Sequence, residues 1–285
     1  MTASTEHVRR VSRRLRDLVE PIAANVYFAP EAQANYKDLG LSYVPGYFTS
    51  RGACMGQVPG EIVVMAFAVF EPNLVVNAVN EGWSKTDRDT ILAAREKGAV
   101  ASLRKLIGDD PAGLARATEL LKQAGDAGTG EGRALYSGLR SLGWPGDPMG
   151  DFWRAADLVR EHRGDSHTCA WVSHGIAPVE ITLLTELWWK MGLNTYVRTR
   201  GWNDEAIAAG VASLEDKGYV KDGEFTPEGE AVRASIEAAT DEGERRIVEA
   251  LGDDADELFT ILDPWAKAVV AAGGYPSDPS QLTRQ

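Results

Sequence analysis

Cysteine is almost missing from this chain: Cys54 and Cys169 are the only two among 285 residues, far apart and without C-x-x-C spacing. Their scarcity excludes a disulfide framework and a zinc ribbon, and it predicts a reducing, cytoplasmic setting. Long apolar runs are missing as well. The best candidate, Ile62 to Phe70, is bounded by Glu61 and Glu71 and falls short of the ~20 residues that a bilayer span needs, so no membrane partner is expected. Arg9, Arg10, Arg13, Arg14 and Arg16 crowd the first segment with no apolar stretch behind them, and no secretory signal is expected. Alternating strand patterns are nearly absent, which leaves helices to form the core.

Cations are in deficit, 30 Lys and Arg against 42 Asp and Glu, for a net charge of −12. Affinity for phosphate backbones rests on a surplus of Lys and Arg, so only a local basic patch could bring this chain to DNA. No Walker loop, Rossmann fingerprint, G-x-S-x-G elbow or H-E-x-x-H pair occurs. The common enzyme classes lose support, and any cofactor stays unknown.

What remains is helical periodicity. Val8, Val11, Leu15, Leu18 and Ile22 form one stripe of a first helix over about Glu6–Asn25. Short helices are predicted at Pro30–Leu39, Val44–Ala53, Gly60–Phe70 and Pro72–Asn80, and a longer one at Asp87–Ile107, with proline and glycine at the joints. Gly125–Gly132 reads as a flexible linker, a second linker spans Gly143–Pro148, and Met149–Arg163 reads as a helix. The expected organisation is a helical N-terminal domain (1–125), a linker region (126–148), a winged-helix-containing domain (149–272) and a flexible tail (273–285).

The winged helix has the sharpest pattern. Pro178–Met191 is an apolar helix, Asn194–Arg200 a short one, and Asn203 caps a third with Asp204 and Glu205 in its first turn. Gly218 ends it, Tyr219-Val220 and Glu224-Phe225 flank an Asp222-Gly223 turn, and Thr226-Pro227 starts the next helix. The fold class is thus mainly α, a multi-helical N-terminal body with a C-terminal winged helix. A reading helix needs Arg, Lys, Asn or Gln toward the groove. Here the outward positions are Asp204, Ala208, Ala209, Ser213 and Asp216, so DNA binding is doubtful, and a winged helix used for packing competes with one that reads DNA through the first helix, Arg198 and Arg200.

Two constellations carry candidate chemistry. In Arg160–His167 (REHRGDSH), Asp165 is expected to cap a helix reaching Gly175, on which His167, Trp171 and His174 share a face. Asp165 and His167 are a candidate catalytic acid–base pair, with Arg163 and His174 as ligand contacts; a capping Asp and a histidine satisfied in a helix joint is the alternative. His167 and His174 lie about 10 Å apart along a helix of about 1.5 Å rise, too far for one ion, so no metal site is assigned. The second constellation joins Tyr27, Glu31, Tyr47 and Arg51. Tyrosines pair an apolar body with a polar tip, as an organic ligand pocket requires; packing, dipole stabilisation by Glu31 and neutralisation of a carboxylate such as Glu61 by Arg51 explain the same residues.

Through Tyr27–Glu31 (YFAPE), Gly46–Arg51 (GYFTSR) and Arg160–His167 the chain resembles, over nearly its whole length, a family of actinobacterial helix-turn-helix proteins. The resemblance implies an all-α body with a C-terminal winged helix, similar to ligand-responsive MarR-type regulators. The leading expectation is a protein that binds a small organic ligand with Tyr27, Glu31, Tyr47, Arg51 and His167. An enzyme acting on a secondary metabolite or xenobiotic through Asp165 and His167, and a module that dimerises through flanking helices, are the alternatives.

Overall fold

The computed structural model describes residues 3–278. Its first helix, α1 (Thr5–Phe28), starts where the Ser4 side chain accepts a hydrogen bond from the His7 N–H. Val8, Val11, Leu15, Leu18 and Ile22 are all at most 3% exposed, so the stripe read from the sequence is the buried face. Pro21 lies inside α1, where it cannot donate to the preceding turn, yet the helix continues because its apolar face is packed along its length.

Seven helices follow before the long one: α2 (Pro30–Asp38), α3 (Tyr43–Gly52), α4 (Gly60–Ala66), α5 (Pro72–Lys85), α6 (Arg88–Ile107), α7 (Leu114–Ala127) and α8 (Ala134–Arg140). Asp87 caps α6 through the Thr90 N–H at 2.8 Å. Helix α4 stops four residues before its expected end, and α5 runs five beyond its own, with Lys85 in its last turn. The 126–148 stretch contains α8, whose Leu135, Tyr136 and Leu139 are buried, and the Tyr136 hydroxyl donates to the Gly125 carbonyl at 2.7 Å. The glycine-rich segment is therefore packed against protein.

Helix α9 (Pro148–Ser173) is the axis of the molecule. Asp147 caps it through the Gly150 N–H at 2.8 Å, with Pro148 in the first turn. The sequence predicts a break near Gly164 and a new start at Asp165; instead one helix of 26 residues runs through both. A glycine inside a helix costs only about 1 kcal/mol, which burial on both sides offsets. Asp165 does cap a helix, but a different one: its carboxylate accepts from the Tyr136 N–H in the first turn of α8, at 2.9 Å.

The C-terminal part has the expected order: α10 (Pro178–Trp188), a 3-10 turn at Tyr196–Arg200, α11 (Asp204–Asp216), the strands β1 (Val220–Lys221) and β2 (Glu224–Phe225), and α12 (Pro227–Gly243). Asn203 caps α11 and Thr226 caps α12 through the Ala206 and Gly229 N–H groups. Asp222 and Gly223, at φ 52° and 80°, form the tight turn between the antiparallel strands, a left-handed geometry that suits Asp-Gly. Trp171, Ile181, Leu184, Val197, Ile207, Leu214, Val220 and Ile236 form the core of this winged-helix element.

Two helices then return to the N-terminal body: α13 (Arg245–Leu251) and α14 (Ala255–Ala271). Ile247, Leu258, Leu262 and Val269 join Val8, Ile22, Ile91, Leu121 and Trp153 in the main core, so the first and last thirds of the chain share one hydrophobic interior. A smaller cluster of Phe48, Val63, Phe67, Phe70, Val79 and Leu135 lies beside it. The beginning of the expected tail is tied down, with the Asn25 amide donating to the Gly274 carbonyl at 2.9 Å and Tyr275 edge-on to Phe28 at 5.8 Å; the rest of that tail, residues 279–285, lies outside the described residues. Among the described residues, no helix is long and apolar enough to cross a membrane.

Candidate functional site

A cavity of about 840 Å³ opens between the N-terminal helices and the winged-helix element. Each wall is a helical stripe. Arg16, Glu20 and Tyr27 come from α1; Tyr43, Tyr47 and Arg51, four residues apart, from α3; Arg160, Arg163, His167 and Trp171 from α9. Thr185 and Trp188 of α10, Trp189 just past its end, Tyr196 and Arg200 of the 3-10 turn, and Arg233, Glu237 and Thr240 of α12 complete it, with Phe67 and Phe70 from the α4–α5 connection.

Tyr47 is the centre of the aromatic wall. Its ring is edge-on to Tyr27 and Phe48 at 5.1 Å and to Phe67 at 5.9 Å, and it stacks with Tyr43 at 6.2 Å. Below it lies an ion network organised by Glu161, which is buried on α9. Arg51 grips Glu161 with two parallel hydrogen bonds of 2.6 and 2.7 Å and donates to the Tyr47 hydroxyl at 3.0 Å. Arg160 reaches Glu161 at 2.7 Å and Glu20 at 2.9 Å. Burial pushes the Glu161 carboxyl up, but Arg160 and Arg51 together hold it well below the usual range, so it is ionised. Burial raises the Tyr27 hydroxyl above the normal phenol range, which keeps it neutral. Arg51 thus neutralises a carboxylate, as one reading of the sequence has it, but the partner is Glu161 and not Glu61.

The opposite wall is built around Glu237. Arg233 donates to it at 2.6 Å, while Arg163 lies 3.7 Å and Arg16 4.0 Å away. Arg163 also holds Asp241 at 2.9 Å. The Nδ1 of His167 is 3.1 Å from the Thr240 hydroxyl. That hydroxyl donates to the Ile236 carbonyl, so it accepts from the histidine, which leaves Nε2 as an acceptor in the neutral ring. Burial, reinforced by the charge of Arg233, pushes His167 down to about 4, and the ring is neutral near pH 7.

Six of the eight residues assigned from the sequence line this cavity: Tyr27, Tyr47, Arg51, Arg163, Asp165 and His167. Glu31 does not. It lies in the first turn of α2, 3.1 Å from Lys105, where its own backbone N–H and Lys105 lower its pKa. His174 lies past the end of α9, its Nδ1 2.8 Å from the Ala170 carbonyl and its Nε2 3.1 Å from Ser235. Asp165 and His167 reach the cavity separately. Two positions along a helix turn side chains about 200° apart, and Asp165 binds the Tyr136 N–H while His167 binds Thr240. Among the described residues no group of three or more His, Cys, Asp or Glu is placed to hold a metal ion.

Read from the sequence, Glu20 and Arg233 have no role, Glu161 has none inside a marked motif, and Arg200 is assigned to DNA and not to the cavity. Glu20 stands one helical face from Tyr27 and Arg160 precedes Glu161 in a marked motif, so a stripe count could have found them; Arg200 and Arg233 meet the cavity only through the winged-helix packing.

The first-helix arginines proposed for DNA are engaged within the protein: Arg9 with Glu6, Arg13 with Asp241, Arg14 with Asp263 and Arg16 with Asp17. Helix α11 exposes Asp204, Glu205, Glu215 and Asp216; Ser213, expected to point outward, donates to Glu180 at 2.6 Å, and Lys217 pairs with the same carboxylate. Arg198 is held by Asp204, and Arg200 lies over the rings of Tyr196 and Phe70 at 4.2 and 4.7 Å.

Neither a curated protein nor a solved structure matches the chain. A family model does, described as a helix-turn-helix family and matching residues 12–276. From α1 to the tail beyond α14, through the cavity and the winged-helix element alike, this chain therefore belongs to a helix-turn-helix family.

Proposed function

We propose that this protein binds a small organic molecule in the cavity between its helical body and its winged-helix element, and that it serves as a ligand-responsive regulator in which α11 does not read a DNA groove. The observation that carries the reading is the cavity itself: about 840 Å³, large enough for a drug-sized ligand, with an aromatic wall and convergent polar groups. Its position supports responsiveness, because a ligand there touches α1 and α3 on one side and α10, α12 and the 3-10 turn on the other. An occupant that fits one relative placement of these elements better than another shifts the balance between them. Contact with a DNA groove through α11 has little support, since its exposed face carries four carboxylates and phosphate repels them.

Native mass spectrometry of protein taken from its own cells tests this reading. A retained organic molecule, released on denaturation, is the expected result. The Thr185→Trp variant, which places an indole in the cavity, is expected to lose it while keeping the wild-type circular dichroism spectrum. Retention of the same molecule by wild type and variant alike would place the binding elsewhere and end the proposal.

A further inference from the structure

We infer, resting on the ligand-binding reading of the cavity, that its occupant is an organic anion: a flat apolar body against the Tyr47 and Phe70 wall, with an acidic group taken by Trp171, Arg233 and Arg200. The first ground is charge. In a protein of net charge −12, six arginines line this cavity; Arg51 and Arg160 are paired with Glu161 and Arg163 with Asp241, and Arg200 is left without such a pair. Glu237 alone lies within ion-pair distance of Arg16, Arg163 and Arg233. Arg200 has no carboxylate partner among the described residues, and two aromatic rings hold it in place.

The second ground is independent of charge. Trp171 and Arg233 are 2% and 3% exposed, and the indole N–H of one and the Nε–H of the other have no acceptor. The Nε–H of Arg200 is unclaimed as well. A buried donor left without a partner costs about 1–3 kcal/mol, and three residues that line the cavity each carry one, which favours an acceptor-rich guest there. A carboxylate, sulfonate or phosphate ester supplies acceptors only, which is what this set lacks. The neighbouring aromatic wall supplies the apolar surface for the rest of the molecule.

Two fluorescent probes separate this inference from the reading beneath it. Anilinonaphthalene sulfonate and N-phenylnaphthylamine share their rings, and only the first carries an anionic group. Titrated into the full-length protein, the sulfonate is expected to bind at least tenfold more tightly. Trp171→Phe, which keeps an aromatic ring and removes the donor, and Arg200→Gln are each expected to weaken the sulfonate threefold or more and to leave the neutral probe within twofold. Thermal melts of both variants confirm folding, and Arg200, half-exposed at the rim, is the safer of the two. Equal affinity for the two probes, with both lost in Thr185→Trp, would overturn the anion and leave the cavity as a ligand site. Sulfonate binding indifferent to all three substitutions would overturn it too. Failure of both probes to bind, together with no retained molecule in the native mass spectrum, would remove the ligand-binding reading itself.

Discussion

Glu161 is buried with Arg51, Arg160 and the Tyr27 hydroxyl on its two oxygens, and a charge in that position depends on every partner. Arg51→Ala is expected to cost about 3 kcal/mol, because it strips the two-pronged contact and leaves the carboxylate under-compensated. Urea melts of the variant against Arg51→Lys, which keeps the charge and loses the fork, should rank the lysine between wild type and alanine. Asp165 behaves in the opposite way. Burial raises its carboxyl from 3.8 to about 7, with the Tyr136 N–H pulling it back and Glu161 adding to the rise. Its folded value lies above its unfolded one, so its contribution falls as pH rises between about 4 and 7 and stays low above that. Asp165→Asn keeps an acceptor for the Tyr136 N–H and removes the charge; a gain of about 2 kcal/mol is expected above pH 7 and little below pH 4. His167 has the reverse slope. Its value is lowered from 6.5 to about 4, so its contribution is full above about pH 6.5 and is lost as pH falls toward 4. His167→Gln should flatten that limb of the stability curve, measured by thermal melts across the window; an unchanged slope would contradict its burial as a neutral ring.

At the scale of elements, the walls of the site depend on close helix contacts. A Cβ on Gly98 of α6 would come within 2.4 Å of the Ala32 Cα of α2, a backbone atom that cannot rotate away. Gly98→Ala is expected to destabilise by about 2 kcal/mol, read as a lowered melting temperature, since the two helices must separate. Helix α11 gives a prediction of another kind. With four exposed carboxylates and its one flanking lysine held by Glu180, it should show no saturable binding to a mixed pool of duplexes at physiological salt. Tight, salt-sensitive anisotropy changes would contradict that. Many of these elements were legible beforehand because their signals are local: the Asn203 and Thr226 caps, the Asp222-Gly223 turn and the α1 stripe each lie within a few residues. The break expected at Gly164 was not real, because packing along α9 outweighs the preference of one glycine.

For the whole molecule, the cavity is a junction. Its walls come from both sides of the joint between body and wing, so an occupant should tie them together. At a hundredfold excess over its dissociation constant, anilinonaphthalene sulfonate is expected to stabilise the protein by about 2.7 kcal/mol, seen as a higher melting temperature. Hydrogen exchange should slow in α10 and α12 together with α3; protection confined to one side would contradict a shared site.

The helical class, the winged-helix order and the motifs holding Tyr27, Tyr47, Arg51 and His167 follow from the chain alone, since caps, turns and 3.6-residue stripes act over short distances. The partners of those residues do not. Arg51 meets Glu161 across 110 positions and His167 meets Thr240 across 73, while Glu31 and His174, equally suggestive in sequence, face away from the cavity. Which charges are neutralised, and which N–H groups are left without a partner, depends on how α9 is clasped between the first helices and α12, because burial and pairing are properties of the packed assembly of helices and not of any one of them.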